Sequence, residues 1–414
     1  MTQSPRLALG FILVTITLDA IGIGLIFPVM PELIEEVTGG TLAAAALWGG
    51  VLSTSFAVMQ FLFGPVLGSL SDWYGRRPVL LLSLGVMALA YLIMALAPTI
   101  WLLLAARLVA GIAAATQSTA TAFIADISTP DQRGRRFGLI GACFGIGFIL
   151  GPLIGGLVAS IDTRAPFYAA AAMALANLII GLIVLPETVT ARTRRAFTWS
   201  RGNPIGALKS LTALPGLKRP LLTFLIIAVA MNVYPAIWAF YGKARFDWDT
   251  TMIGHSLGVY GVSFALGQAL LVGPLIQRFG EHRAAFLGMW VDVVSLTALG
   301  FVTSGALALA LTPITALGGV VTPAIQALLS RQTPDNAQGE LQGVLASLNA
   351  LAMITAPLMM TATFAAFTAP DAAIFSPGAP FLLAAILMVA AIALHVAKSR
   401  ETPSGSPTLP PSSL

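Results

Sequence analysis

The sequence predicts an all-α membrane protein with twelve transmembrane helices in two pseudo-symmetric six-helix bundles. Three observations predict it. The first is composition. Of 414 residues, 57% are hydrophobic and only 9% charged, with a mean hydropathy of +0.89. A soluble domain carries about 25% charged residues, so this chain has too little polar surface to face water. The second is the recurrence of apolar runs of about 20 residues, each long enough to cross a bilayer as a helix. Lipid leaves no backbone group unpaired, which favours helices, and the period-two alternation of a membrane barrel is absent. The third is a repeat. Gly68-Ser69-Leu70-Ser71-Asp72-Trp73-Tyr74-Gly75-Arg76-Arg77-Pro78 lies between two apolar runs. About 205 residues later Gly273-Pro274-Leu275-Ile276-Gln277-Arg278-Phe279-Gly280-Glu281-His282-Arg283 does the same. One offset also carries Gly138 to Gly343 and Pro152 to Pro357, and one residue less carries Thr129-Pro130-Asp131 to Thr333-Pro334-Asp335. Two related membrane halves usually move against each other around a central site.

The expected spans follow the apolar runs in order. The first half holds 7–30, 43–67, 78–98, 100–124, 135–160 and 165–186. The second holds 220–242, 252–276, 284–303, 305–329, 340–366 and 376–397. Span 1 follows the single basic Arg6 but contains Asp19 and two prolines, and no small-x-small cleavage site follows. It reads as a retained span rather than a signal peptide. The chain therefore divides into an N-terminal bundle (1–186), a polar and basic linker (187–219), a C-terminal bundle (220–397) and a tail (398–414). The tail is rich in Ser and Pro and is expected to be disordered.

The lysines and arginines orient the spans. One side collects Arg6, Arg76, Arg77, Arg133, Arg135, Arg136, the linker cations Arg192, Arg194, Arg195, Arg201, Lys209, Lys218 and Arg219, then Arg278, Arg283, Arg331, Lys398 and Arg400. The other side holds Arg164, Lys243 and Arg245. By the positive-inside rule both termini and the linker are cytoplasmic. The net charge of +5 thus reflects topology, not nucleic-acid binding. Cys143 has no disulfide partner and suits a small packing role. His255, His282 and His395 have no metal-ligand spacing.

Ionisable residues inside spans are expensive and by default functional. Asp19 lies about mid-depth in span 1, where it can bind substrate, shape a cavity, or make a packing hydrogen bond beside Gly22 and Gly24. Asp292 is the deep carboxylate of the second half and suits proton exchange against a cargo. Arg107 is the one basic residue within a span. It can act on a nearby carboxylate or bond to backbone carbonyls. Gln60, Gln117, Asn232, Gln268, Gln326 and Asn349 are polar side chains within spans, suited to lining a substrate cavity or to bonding between helices.

Twelve spans in two repeated halves, with this loop between spans 2 and 3, resemble the major facilitator superfamily. Gly147-Phe148-Ile149-Leu150-Gly151-Pro152-Leu153-Ile154-Gly155-Gly156 resembles the span-5 motif of its drug/proton antiporters, and Leu104-Ala105-Ala106-Arg107 with Gly111 resembles their span-4 motif. Asp19-Ala20-Ile21-Gly22-Ile23-Gly24-Leu25-Ile26-Phe27-Pro28-Val29-Met30-Pro31 resembles span 1 of the tetracycline/proton antiporters, as do Pro166-Phe167 and Gly288-Met289-Trp290-Val291-Asp292 further on. Two positions depart from that group. Ala90 stands where its members usually carry aspartate, and Phe264 where some carry histidine.

The resemblance implies proton coupling through Asp19, Arg107 and Asp292. It implies a gate latch of Asp72, Arg76 and Asp126 that holds the outward-facing state, although Arg76 also serves as a topology signal. It implies an antiporter motif of Gly147, Gly151, Pro152, Gly155 and Gly156, whose small residues also permit close packing. Gln60 and Gln268 match polar positions of the tetracycline exporters.

The expected function is proton-coupled efflux of a hydrophobic, tetracycline-like drug across the bacterial inner membrane by a monomer. The alternative is a major facilitator importer or exporter of another small metabolite. No cofactor is expected. The proton gradient supplies the energy, and a drug–metal chelate is a conceivable cargo. The chain has no phosphate-binding Gly-x-x-x-x-Gly-Lys-Ser/Thr loop, no Gly-x-Ser-x-Gly elbow and no His-Glu-x-x-His, so it is not expected to be an enzyme.

Overall fold

The computed structural model describes residues 5–114, 116–191, 193–197 and 216–397. Eleven helices among them are long and apolar enough to cross a membrane. In the first half these are α1 (Pro5–Ile26), α2 (Leu42–Tyr74), α3 (Arg76–Leu96), α4 (Ile100–Asp126), α5 (Pro130–Ala159) and α6 (Ala165–Val184). In the second half α7 (Lys218–Phe246) is followed by α8 (Thr250–Leu270), α9 (Val272–Phe301), α10 (Gly305–Gln332), α11 (Gln338–Thr368) and α12 (Ala379–Val396). Helix α8 is the twelfth crossing. At 21 residues it is long enough, but His255, Gln268 and four glycines lower its hydropathy. The linker residues 198–215, Arg192 and the tail from 398 lie outside the described residues.

Local chemistry sets several helix starts. The Thr41 hydroxyl accepts the Ala44 N–H at 3.3 Å and opens α2. Asp249 accepts the Met252 N–H at 2.7 Å and opens α8. Each satisfies an N–H that the helix itself cannot pair. Proline stands in the first turn of α5, α6 and α12, where its missing N–H costs nothing.

Some boundaries differ from the expected spans, for identifiable reasons. Span 1 was expected to run to residue 30. Instead α1 ends at Ile26, and a separate nine-residue helix, Met30–Thr38, follows. Pro28 disfavours helix for the residue before it, and Pro31 stands in the first turn of the new helix, where its missing N–H costs nothing. Helix α2 runs on to Tyr74, well past the expected 67, and stops at Gly75, whose φ is +122°. Its repeat partner Gly280, φ +74°, kinks α9 where a loop was expected. Only glycine adopts such a backbone without strain, which explains why the repeat keeps both glycines. Helix α7 breaks at Asn232, and α10 passes through a 3-10 turn at Gly318–Val320.

The halves repeat each other in packing as well as in sequence. In the first, α1 packs on α5 and α6, α2 on α4, and α3 on α4 and α6. In the second, α7 packs on α11 and α12, α8 on α10, and α9 on α10 and α12. Two seams, α2 with α11 and α5 with α8, join the halves and exchange under the same symmetry.

Helix α5 owes its position to glycine. A Cβ on Gly151 would sit 2.7 Å from the Gly24 Cα and from the Ile21 carbonyl oxygen of α1. One on Gly147 would lie 2.6 Å from the Ala20 Cβ, and one on Gly155 would lie 2.8 Å from the Leu25 Cα. The three share one face at four-residue spacing. Gly156 turns instead to α8, where its own Cβ would lie 2.7 Å from the Thr250 carbonyl oxygen.

Gly151→Val should therefore destabilise the protein by about 1–3 kcal/mol through overpacking. Gly138→Ala, with nothing within 4 Å of the added carbon, should not. Thermal unfolding in detergent tests both, and equal melting temperatures for the two variants would contradict the packing argument.

Candidate functional site

The seams close only one end of the space between the halves. At the face opposite the basic loops, Gly156 meets Thr250 and Gly254, and the Thr251 hydroxyl donates to the Gly156 carbonyl at 3.1 Å. On the other seam the Thr54 hydroxyl donates to the Ile354 carbonyl at 2.9 Å, and Gly50 lies against Thr361. The Phe240 ring packs on Gly49 and lies 6.2 Å from Phe364. Lys243 at the end of α7 pairs with Glu35 of the short helix at 2.7 Å. At the basic face no ion pair among the described residues joins the halves. Gly64, Gly68, Gly138 and Gly141 of the first half and Gly273, Gly339 and Gly343 of the second have no neighbour within 4 Å of a built Cβ. The molecule is shut at the face opposite the basic loops and open at the basic face.

Between the halves lies a cavity of about 710 Å³. Its wall is aromatic: Phe27, Phe56, Phe144 and Phe148 from the first half, Tyr234, Trp238, Phe240, Tyr260 and Phe264 from the second. Arg107 is the one charged side chain among the described residues that line it. Its guanidinium carbon stands 4.6 Å above the centre of the Phe56 ring. Its Nε is buried without a hydrogen-bond partner, and no carboxylate lies within ion-pair distance. The backbone-bonding alternative for Nε is thus not what the structure holds.

Asp19 is half-buried on α1. Among the described residues it makes no ion pair or hydrogen bond. One turn before it, the Thr15 hydroxyl donates to Asn177 Oδ1 of α6 at 3.2 Å. The packing hydrogen bond of this region therefore belongs to Thr15. Asp292 is 2% exposed and sits against Gly318 in the 3-10 turn of α10, where a Cβ would overlap the carboxylate. Its Oδ2 has no hydrogen-bond partner. Neither aspartate borders the cavity. Asp292 lies behind the aromatic wall: Gly319, next to the Gly318 it touches, packs against Phe264 and Gln268 of the cavity lining, and Tyr234 and Tyr260 of that wall stack at 5.4 Å.

The polar side chains separate into groups. Gln268 borders the main cavity and donates to the Gly319 carbonyl at 2.9 Å. Asn232 and Asn349 line a smaller cavity of about 230 Å³ with Thr322, and Asn232 Nδ2 donates to the Ala228 carbonyl at 2.7 Å. Gln60 makes a long contact, 3.5 Å, with the Ala114 carbonyl. Gln60 and the half-buried Gln326 border neither cavity. The side chain of Gln117 lies outside the described residues.

At the basic face the structure brings Asp72, Arg76 and Asp126 together. Arg76 reaches Asp72 at 2.5 Å and Asp126 at 3.2 Å. Sequence reasoning missed the rest of this cluster. Glu187, just past α6, accepts the N–H groups of Arg76 (2.9 Å) and Arg77 (3.2 Å) and so caps α3. The Thr188 hydroxyl donates to Asp126 at 3.1 Å. A lone acid heading a basic linker was the available signal. In the second half Arg331 pairs with Glu281 at 2.8 Å. These are the repeat equivalents of Asp126 and Arg76, with the signs exchanged. All of these contacts stay within their own half.

The sequence profile of the Major Facilitator Superfamily matches residues 12–242 and 221–413. The chain is 44% identical over 359 residues to the tetracycline resistance protein of class C from Escherichia coli, covering 87% of this chain and 90% of that one. It is 41% identical to the class G protein from Vibrio anguillarum, covering 86% and 89%. Among solved structures, a bacterial homologue of the human lysosomal transporter Spinster, inward-facing and unoccupied, superimposes with a TM-score of 0.76 at 15% identity. That match covers 95% of this chain and 97% of the other and speaks for the fold alone. With its two repeated bundles around a central cavity, the chain belongs to the major facilitator superfamily, in the group that holds the tetracycline resistance proteins.

Proposed function

We propose that this chain exports a hydrophobic aromatic drug of the tetracycline kind, free or as a metal chelate, in exchange for protons. It acts as a monomer in the bacterial inner membrane, needs no cofactor and performs no covalent chemistry. The basic face is cytoplasmic, as the positive-inside rule requires, so both termini are cytoplasmic and the structure is the inward-open state. The observation that carries the reading is a pair of intramembrane carboxylates, Asp19 and Asp292, one in each half. Neither has an ion-pair partner, and the two halves share an aromatic cavity.

The cavity suits such a cargo. Offset and edge contacts with aromatic rings contribute about 0.5–1.5 kcal/mol each, and Arg107 and Gln268 offer orienting polar groups. A charged carboxylate at mid-membrane costs several kcal/mol unless neutralised or solvated. Proton binding at Asp292 removes that cost, and proton release restores it. Cargo and proton therefore favour different states of the same two-state element, which is what coupling requires. The rocking motion pivots on the α5–α8 and α2–α11 seams. Closing the cytoplasmic side brings the Asp72–Arg76–Asp126 corner toward the second half, where it serves as the latch of the outward-facing state. Opening the other side requires Lys243 and Glu35 to part.

Three outcomes test this. In proteoliposomes with an internal pH dye, a tetracycline should drive proton movement. Asp292→Asn should reduce it at least about tenfold, the scale on which a lost intramembrane ionisable group is felt, while drug-for-drug exchange persists. Unchanged proton movement in the variant would remove Asp292 from the coupling path. Asp72→Asn should cripple transport with normal insertion, and full activity in vesicles would remove the latch. Glu35→Gln should shift the balance away from the inward-open state by a few-fold, since a part-exposed ion pair contributes about 1 kcal/mol or less. Labelling of Gly141→Cys, in a Cys143→Ser background, by an impermeant thiol reagent from the cytoplasmic side reads that shift. Equal or faster labelling would exclude a gating role for the pair.

A further inference from the structure

Two adjacent glycines of α10 stand between the cavity wall and the buried acid of the second half, and they face opposite ways. Gly318 lies against Asp292 of α9, with no room for a side chain between them. Gly319 lies against α8, where a Cβ would stand 2.8 Å from the Phe264 ring and 3.3 Å from Gln268 Nε2. Phe264 and Gln268 both line the central cavity. Gln268 Nε2 donates to the Gly319 carbonyl at 2.9 Å. That carbonyl needs a donor from outside its own helix. In an unbroken helix it would accept the N–H four residues on, but that residue is Pro323, which has none. Contacts therefore run without a gap from the cavity through Gln268, Gly319 and Gly318 to Asp292.

We propose that Gln268 is a positioning residue: its amide holds the glycine turn of α10 against Asp292, and a cargo that takes the amide for itself releases the turn and alters the surroundings of the acid. The inference rests on the proton-coupled reading of the site. An amide suits the task because it has two N–H donors and a carbonyl acceptor. One donor serves Gly319, and the side chain still borders the cavity. A buried backbone carbonyl left without a donor costs free energy, so the turn resettles when Gln268 leaves it.

The other titratable groups around α9 are engaged elsewhere or neutral. Helix α9 packs on α8, α10 and α12. His255 lies in the first two turns of α8 beside Gly254, at the face opposite the basic loops. Arg331 of α10 pairs with Glu281 at 2.8 Å, between Arg278 and Arg283 at the basic end of α9. His395 of α12 lies on His282, with ring centres 4.0 Å apart. There remain Tyr260 of α8 and Tyr234 of α7, which stacks on it at 5.4 Å. Both interact electrostatically with Asp292, and a phenol carries no charge at neutral pH. Among the described residues no cation pairs with Asp292 in competition with the turn.

The test is an infrared titration of the buried carboxylic acid band in the purified full-length protein. The Asp19→Asn background is used, and Asp292→Asn identifies the band. Gln268→Leu removes the donor at similar size and should move the midpoint of the band by about one pH unit, the scale of one lost hydrogen bond near a charged group. Pro323→Ala restores an N–H within the helix for the Gly319 carbonyl, so in that background Gln268→Leu should move the midpoint little. Superimposable titrations of Gln268→Leu and its parent would overturn the link. So would equal shifts with and without Pro323→Ala. Tetracycline should move the band in the parent but not in Gln268→Leu, and the same response in both, or none, would take the cargo out of the link. Because the first two readings need no drug, failure of the link is distinguishable from failure of drug/proton exchange, which the vesicle assay reports by itself.

Discussion

Helix α5 is the element on which the rest of the molecule depends. Its glycine face lets its backbone touch that of α1, and its Gly156 edge lets it touch α8. One helix is thus both core of the first half and hinge plate against the second. Membrane helices gain nothing from hiding apolar surface from one another, since lipid is equally apolar. Close backbone approach, with its dispersion contacts, must supply the association instead. The consequence reaches the cavity. Because α5 and α8 meet only toward the face opposite the basic loops, the ends of the same helices nearer the basic face stand apart, and Phe144 and Phe148 become cavity wall rather than seam.

The second constraint is electrostatic. Among the described residues Asp19, Arg107 and Asp292 lie deep within the spans, and none has the salt-bridge partner that would make it structurally cheap. Where charges serve the scaffold they are paired and capped: Arg76 with Asp72 and Asp126, Glu187 on the start of α3, Arg331 with Glu281. These lie at the membrane surface, where water shares the cost of charge. The contrast between satisfied surface clusters and unsatisfied deep groups separates frame from machinery. Gly318 illustrates it. The turn in α10 has no side chain at the point where Asp292 sits, so the backbone makes room for an unpaired acid.

Much of this was legible in the sequence because it follows from local or periodic rules. Span count came from hydropathy. The glycine-rich stretch of α5 signalled close packing, although not that three glycines face α1 and one faces α8. Helix breaks were less legible. Asn232 and the Gly318–Val320 turn interrupt apolar runs just before Pro235 and Pro323, but a proline alone does not say whether a membrane helix bends or breaks, because neighbouring helices can re-satisfy the freed backbone groups. Polar residues were the least legible of all. Gln268 lines the cavity while Gln326 does not, yet each is one amide in an apolar helix. Which way an amide faces depends on helix rotation within the bundle, a tertiary property. Glu187 acquires its role only through residues far away in sequence.

The repeat itself shows what the two halves are required to share. Gly75 and Gly280 recur because both positions adopt positive φ, and a side chain there would strain the turn. Pro152 and Pro357 recur in α5 and α11, which are related by the symmetry. Helix pairings recur because both bundles solve the same packing problem. The chemistry does not recur. The surface pair Arg76–Asp126 returns as Glu281–Arg331, where only the attraction is preserved and the signs are free to exchange. Of the deep charges, Asp19 and Arg107 lie in the first half and Asp292 in the second. A symmetric frame can therefore rock between two equivalent openings while its interior remains asymmetric. On the proposed function, that asymmetry would let one half respond chiefly through Asp292 and the other through Asp19 and Arg107, so that cargo and proton need not compete for one group.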